Sequence, residues 1–291
     1  MPVKTYHPKD SPFKVIYVDI THPCQMSCAN CYLPNRNIPD MDLKAFSACI
    51  SQLPRKTDLR LIGGEPTLRS DLHEIIGLIR SFGHRPLLIT NGLKLANDEY
   101  VLSLKNAGLD YAQISLNGYN DNSIYKVIDK MECADQKMKA VENCVRLGIS
   151  ASLSCILVRD LNTHLVADLI DYAETLPKPV RINFRNVGAI GRNMTSEVKS
   201  LSLIEIADLV AEKLNLKTDV ILQSKVASNQ IVFRSKLGKR YSQQVIIKIT
   251  DWSIFQENDL VDPKSLIRGR ITQDFRLAPH FEHIKENEFG Y

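Results

Sequence analysis

The chain has 291 residues, of which 44% are apolar and 24% charged, with 13 glycines and 13 prolines. That composition excludes a disordered, collagen-like or low-complexity chain and leaves room for one large α/β domain or two smaller ones. A net charge of +4 is too slight to imply nucleic acid by itself. No apolar run approaches the ~20 residues of a membrane-crossing helix. The N-terminus lacks the apolar core of a signal peptide, so the expected location is the cytoplasm.

Apolar runs alternate with amphipathic segments from about residue 14 to residue 214. The runs are Val15–Ile20, Leu59–Ile62, Pro86–Ile89, Tyr111–Leu116, Ser150–Val158 and Val180–Phe184. Helical patterns fall near 41–53, 71–82, 98–107, 134–147 and 163–176, with another near 201–214. In the fourth of these, Met138, Val141, Cys144 and Val145 make one apolar stripe, and Gly148 follows as a stop. Six strand–helix units in series predict a parallel sheet buried on both faces, curled into an open barrel or an open twisted sheet. Chemistry then belongs in the loops after the strand C-termini. After Leu216 the pattern changes. Val220–Gln223, Ile231–Arg234 and Val245–Thr250 read as short strands, and residues 251–291 as mostly irregular and net acidic. The stretch 225–250 carries Lys225, Arg234, Lys236, Lys239, Arg240 and Lys248 and no acid, which suits an anionic substrate or a solvated basic hairpin equally.

The cysteines are unevenly spread. Of seven, Cys24, Cys28 and Cys31 are crowded into eight residues, and none follows Cys155. In a chain expected to be cytoplasmic, cysteines read as metal or redox sites before disulfides. The spacing Cys-x3-Cys-x2-Cys follows the first strand directly. Iron–sulfur cubanes normally take four thiolates. Three local cysteines without an obvious fourth leave one iron open to bind a small molecule, as an open zinc position does. A zinc site would recruit His22, but this spacing fits zinc ribbons poorly, since they use two separated pairs. One unit later, the second strand runs into Gly63-Gly64-Glu65-Pro66. Two glycines permit close backbone approach. Their carbonyls, with the Glu65 carboxylate, suit an ammonium group.

Together these motifs resemble the radical S-adenosylmethionine (radical SAM) superfamily, over about residues 14–190. Further along, Ile89-Thr90-Asn91-Gly92, Ser115-Leu116-Asn117-Gly118, the fifth strand with Ser154, and the sixth with Arg185, Gly191 and Arg192 are similar to the molybdopterin-synthesis and peptide-modifying members. The resemblance implies a partial six-unit (β/α) barrel over residues 1–216, with residues 217–291 as a small β-containing extension covering its opening. It implies one [4Fe–4S] cluster on Cys24, Cys28 and Cys31, with SAM on the fourth iron. Gly63, Gly64, Glu65 and Pro66 would hold the SAM amino group, with Asn91 ending the third strand nearby. Ser115 and Asn117 would face the ribose, Ser154 the carboxylate, and Arg185 the SAM or a substrate carboxylate. Gly64→Val would then keep iron and lose SAM. An electron from a reductase such as a flavodoxin or ferredoxin would cleave SAM to methionine and a 5′-deoxyadenosyl radical, which removes a hydrogen atom from substrate. Two positions depart from the family pattern: Asn30 replaces an aromatic residue before the third cysteine, and Asn117 replaces Asp.

The remaining features read as structural or open. Cys49, Cys144 and Cys155 fit buried positions. Cys133 is a candidate hydrogen donor to a product radical, against the structural role usual for a lone cysteine. His280 and His283 lack a third ligand nearby, and Trp252 either plugs the core or closes the substrate cavity. The leading function is SAM-dependent hydrogen abstraction from a small molecule, an anion being one of the two readings of the basic stretch. Modification of a ribosomally made peptide is the enzyme alternative, weakened by the lack of auxiliary-cluster cysteines. A nucleic-acid-binding iron–sulfur protein would rest on the basic hairpin alone.

Overall fold

The fold is seen in a computed structural model that describes residues 4–33, 36–188, 200–236, 244–252 and 268–279. Six parallel strands form in the predicted order: β1 (Val15–Thr21), β2 (Asp58–Gly63), β3 (Arg85–Thr90), β4 (Tyr111–Ser115), β5 (Ser150–Leu157) and β6 (Arg181–Asn186). Each pairs with the next along the sheet. The crossovers carry α1 (Leu43–Ile50), α2 (Leu72–Ser81), α3 (Asp98–Asn106), α4 (Asn122–Ile128), α5 (Ala134–Leu147) and α6 (Leu165–Thr175). Their ends follow local chemistry. The side chain of Asp42 caps α1, that of Asn97 caps α3, and Gly148 closes α5 in the left-handed region at φ 81°. α4 has no counterpart in the sequence reading, because seven residues are too few to show a helical period.

Residues beyond the sixth unit extend the same sheet at both ends. After α7 (Leu203–Leu214) come α8 (Thr218–Leu222), β7 (Lys225–Ala227), β8 (Gln230–Lys236) and β9 (Gln244–Thr250). β9 lies parallel to β6, with β8 antiparallel outside it and β7 antiparallel to β8 at the edge. At the opposite end β10 (Arg268–Ile271) runs parallel to β1, and β11 (Leu277–Pro279) is antiparallel outside β10. The strand order is therefore β11-β10-β1-β2-β3-β4-β5-β6-β9-β8-β7. This is an α/β fold with an open, mainly parallel sheet, consistent with a partial barrel.

One expectation is corrected here. Val220–Gln223 reads as a strand but lies in α8, where only Ile221 is buried among the helix residues and the Thr218 hydroxyl donates to Asp208 of α7 at 2.5 Å. Packing against α7 overrides the β propensity of Val220 and Ile221. The apolar runs predict a parallel sheet buried on both faces, which leaves open how polar each face is. In the structure the two faces differ. Ile16, Val18 and Ile20 of β1 and Leu59 and Leu61 of β2 are buried with Ile50, Ile75, Ile76 and Ile79 of the helices in one core. Full burial of each such side chain contributes about 1.5–3 kcal/mol. The alternate positions Tyr17, Arg60, Gln113, Asn183 and Lys248 line a cavity instead. Because side chains alternate along a strand, the same residues that build the apolar face fix a polar one.

Candidate active site

The site is built where β1 and β2 end. The chain leaves Thr21 through His22 and Pro23 into the three-cysteine loop, which passes directly over the end of β2. Gly64 N–H donates to the Thr21 carbonyl at 2.7 Å, and Glu65 N–H donates to that of Pro23 at 2.9 Å. This crossing explains the glycine pair. Gly63 has φ 128°, and a Cβ there would lie 1.9 Å from the Thr21 oxygen. A Cβ on Gly64 would lie 2.2 Å from the carbonyl oxygens of both His22 and Pro23. The neighbours of Gly64 are thus carbonyls of the cysteine loop. The expectation that Gly64→Val keeps iron while losing SAM is corrected, since a side chain there collides first with the loop that carries the cysteines.

Cys24, Cys28 and Cys31 are half-buried and share the wall of one cavity of about 260 Å³. The loop is pinned at its far side by Ala29 N–H donating to the Ile128 carbonyl of α4 at 2.8 Å. Two donors reach the sulfurs: Met26 N–H to Cys24 Sγ at 3.4 Å, and Arg36 Nη2 to Cys31 Sγ at 3.0 Å. The same guanidinium donates to the Met26 carbonyl at 2.6 Å. Burial pushes the Cys24 thiol up and the Cys28 thiol up to about 12. A bound metal ion reverses that preference by stabilising thiolate directly. Among the described residues no group of three or more His, Cys, Asp or Glu side chains is placed to hold a single metal ion.

Glu65 is 1% exposed, lines the cavity, and its carboxylate accepts four hydrogen bonds from within the fold. One oxygen accepts from Thr67 N–H at 3.0 Å, Thr67 Oγ1 at 2.7 Å and Thr90 Oγ1 at 2.6 Å; the other accepts from Asn91 N–H at 2.7 Å. It brackets the β2 loop to the end of β3. Asn91 then turns the chain, its Oδ1 accepting from Leu93 N–H at 3.0 Å. Its Nδ2 is buried on the cavity wall without an acceptor among the described residues.

Beyond β4 the wall holds Ser115 and Asn117 above a buried ion pair that the sequence reading missed. Lys137, fully buried in α5, donates to Asp129 at 2.7 Å and to the Ser115 carbonyl at 2.9 Å. Asn117 Nδ2 donates to the other Asp129 oxygen at 2.8 Å, and its Oδ1 accepts from Ile156 N–H at 3.0 Å. This explains the departure at position 117. An aspartate there would set two carboxylates against one ammonium in a dry site. No periodic signal exposes such a pair, since Lys137 occupies what reads as a polar helix position.

Ser154 is fully buried behind the wall, where its hydroxyl accepts from Arg185 Nη2 at 2.7 Å. Arg185 itself lines the cavity with its guanidinium 5.7 Å from the Trp252 ring centre, so Trp252 forms part of the wall. Pro66 is buried beside the loop but not on the cavity wall, and Cys133 is buried at the start of α5, also off the wall. Burial raises the Cys133 thiol to about 11. Of the basic stretch, Lys248 lines the cavity while Lys225 and Arg234 are exposed. Gly191, Arg192, Lys239, Arg240, His280 and His283 lie outside the described residues.

A second network missed in the sequence joins the late strands to the cysteine loop. Arg270 of β10 is 2% exposed and pairs with Asp19 of β1, its Nε donating at 2.6 Å. Tyr32, just past Cys31, donates to Asp19 at 3.0 Å and lies under the Arg270 guanidinium. Burial and the Asp19 carboxylate hold the Tyr32 phenol well above its usual range.

Residues with an unmet hydrogen bond test whether the cavity suits a bound group. Asn91 Nδ2, Asn183 Oδ1 and Arg185 Nε are buried on its wall without protein partners among the described residues. Buried polar groups are normally paired, so these fit a polar ligand. Thiols held by N–H donors and a guanidinium fit an anionic thiolate cluster.

Comparison with known proteins agrees with that chemistry. The family model described as "Radical SAM superfamily" matches residues 18–173. The 7,8-dihydro-6-hydroxymethylpterin dimethyltransferase of Methanocaldococcus jannaschii is 34% identical over 185 residues, covering 60% of this chain and 36% of that protein. The GTP 3′,8-cyclase of Helicobacter pylori is 27% identical over 213 residues, covering 68% of this chain and 63% of that protein. The chain thus spans between about a third and two thirds of the length of these curated relatives. Among solved structures, Streptococcus suis SuiB bound to precursor peptide SuiA matches 92% of this chain and 59% of its own, with a TM-score of 0.64 at 15% identity, a likeness of fold. The matched span holds the cysteine loop, the glycine pair and the ends of β3 to β5, and the chain belongs to the radical SAM superfamily of enzymes, whose members use an iron–sulfur cluster and SAM.

Proposed function

We propose that this enzyme holds one [4Fe–4S] cluster on Cys24, Cys28 and Cys31, binds SAM beside it, and removes a hydrogen atom from a small anionic substrate in the same cavity. The observation that carries this reading is the convergence on one cavity of about 260 Å³ of the three thiols, the Gly63-Gly64-Glu65 loop and polar groups from β3, β4 and β6. A cluster held by Cys24, Cys28 and Cys31 and reduced by a flavodoxin, ferredoxin or similar donor would supply the electron for cleavage of SAM to methionine and a 5′-deoxyadenosyl radical. The chain's own residues bind, orient and shelter. The carbonyls at Gly63 and Gly64 accept the SAM ammonium, while Glu65, which also lines the cavity, keeps that loop rigid. Asn91 Nδ2 and Arg185 offer donors to SAM or substrate oxygens. Ser115 and Asn117 face the ribose, with Asn117 aimed by Asp129. Ser154 acts through Arg185. The reading treats residues 1–216 as the barrel and 217–291 as its extension. In its support, Lys248, Thr250, Trp252, Arg268 and Arg270 all face the cavity from the late segment. The two curated relatives are named for a pterin and for GTP, which supports a small heterocyclic substrate over a peptide.

The test is anaerobic turnover with deuterated candidate metabolites in the presence of a reductant. Deuterium appearing in 5′-deoxyadenosine supports the reading. SAM cleavage that never draws hydrogen from any small molecule, but does so from a peptide, contradicts it.

A further inference from the structure

One layer below the cysteine loop, towards the N-terminal ends of the strands, the cavity is lined by cations. Arg60 of β2 lies beside Tyr17 of β1 in register and donates to its hydroxyl at 2.6 Å. Lys248 of β9 lies beside Asn183 of β6, and Arg268 of β10 lies beside Val15 of β1. Arg185, one layer nearer the cysteines, completes the group. All four line the cavity. Among the described residues none of them forms an ion pair with a carboxylate. Their protein partners are neutral: the Tyr17 hydroxyl for Arg60, the Ser154 hydroxyl for Arg185 at 2.7 Å, and the Gln230 amide oxygen for Arg268 at 2.9 Å. Asp58, which acts on Arg60 electrostatically, already faces Arg85 at 3.9 Å. The other carboxylates of the wall are committed elsewhere, Glu65 to four donors and Asp129 to Lys137 and Asn117.

Like charges crowded on one half-buried wall without counter-ions cost stability, and a bound anion would relieve that cost. The cost is visible at Lys248, whose ammonium is held well below its usual range by burial and by the guanidiniums of Arg268, Arg60 and Arg185. Donors are also left over. The Nε atoms of Arg60 and Arg185 are buried without an acceptor among the described residues. One carboxylate would offset a single charge. A phosphate ester brings nearly two charges and three strong acceptor oxygens, and guanidinium forks match that geometry.

Resting on the reading of this cavity as the substrate site, we infer that Arg60, Arg185, Lys248 and Arg268 form an anion subsite for a phosphate- or diphosphate-bearing end of the substrate. The anion sits at the floor, and the rest of the molecule points up toward the cysteine loop. Three of the four residues, Arg185, Lys248 and Arg268, come from outside the span that the family model matches, and two of these stand on the strands that extend the sheet beyond the sixth unit.

The experiment is calorimetric titration of the full chain with inorganic pyrophosphate, inorganic phosphate and acetate, each with and without saturating SAM. Saturable pyrophosphate binding is expected, tighter than phosphate and with acetate weakest. Lys248→Met combined with Arg268→Gln should weaken pyrophosphate by at least about tenfold, while exposed Lys225→Met should leave it unchanged. Because the cations repel one another, Lys248→Met should raise the melting temperature or leave it unaltered. A fall would show Lys248 to be a structural residue and overturn the proposal. So would pyrophosphate binding no tighter than acetate, or equal binding by the double variant. Displacement of pyrophosphate by SAM would reassign the cluster to the SAM carboxylate and also overturn it. Iron content and SAM cleavage of the same protein are read separately. Their loss with pyrophosphate binding intact contradicts the proposed reaction and leaves the subsite standing.

Discussion

The two halves of this molecule meet at one cavity but specify it differently. Residues 18–173 contribute motifs: three cysteines on one loop, a glycine pair beneath it, and polar residues at strand ends. Residues 200–279 contribute position. They reach the cavity by adding β9 beside β6 and β10 beside β1, and bring in Lys248, Trp252, Arg268 and Arg270 from opposite ends of the sheet. The first half depends on backbone geometry and tolerates no added atoms. The second depends on charge placed by strand register. The comparison teaches that a family's shared backbone motifs and the charged wall of one cavity can be encoded in different grammars on the same sheet.

The largest expected effect falls on the backbone side of that comparison. Gly64→Val should unfold or displace the cysteine loop, because the new Cβ meets two carbonyl oxygens at 2.2 Å. Iron and SAM binding should be lost together, as measured by iron content and SAM titration of the soluble fraction. Retention of full iron would restore the separation of the two functions at this loop. Next, Arg270→Met should destabilise the protein by about 3–5 kcal/mol in denaturant unfolding, since it strands the buried Asp19 carboxylate. Asp19→Asn together with Arg270→Met should recover part of that loss, and if the double variant were no better than the single one, the pair would not be the cause.

Glu65→Ala should cost at least about 3 kcal/mol, because four donors lose their acceptor, two of them backbone N–H groups. Glu65→Gln keeps an acceptor and should recover most of it. Equal stability of Glu65→Ala and wild type would mean the carboxylate serves a ligand and not the fold. The smallest effect lies far from the cavity. Glu205, whose carboxyl is held down at about 2 by the Ser202 backbone N–H and by Arg159, forms a capping box at the start of α7. Its folded value lies below its unfolded one, so its contribution is complete above the ordinary carboxylate range and is lost as pH falls toward 2. Because the pair is exposed and screened, Glu205→Gln should lower the melting temperature at pH 7 only slightly and not at all near pH 2.

Much of the first half is legible in the sequence because its signals are local. Six strand–helix units appear as alternating apolar runs and amphipathic stripes, and the cysteine loop and glycine pair are contiguous motifs. The second half is not. Lys248 sits in Val245–Thr250 with the same alternation as any half-buried strand, and nothing local says that it meets Arg60 across the sheet. Arg270 and Asp19 are 251 residues apart in sequence. Lys137 and Asp129 look like solvent-facing positions, and only the register of α5 over β4 buries them. Glu65 is a motif residue on the cavity wall, and the sequence shows its charge but not the four donors that also tie it to the fold.

The most direct test of the account is the iron and SAM chemistry of the cysteine loop. Wild-type protein and the Cys24→Ala, Cys28→Ala, Cys31→Ala triple variant would be reconstituted anaerobically, then assayed for iron and for 5′-deoxyadenosine formed from SAM with dithionite. The account predicts about four irons per wild-type chain, as one cubane requires, with 5′-deoxyadenosine formed, and neither in the triple variant. A triple variant that still holds about four irons or still cleaves SAM would contradict it.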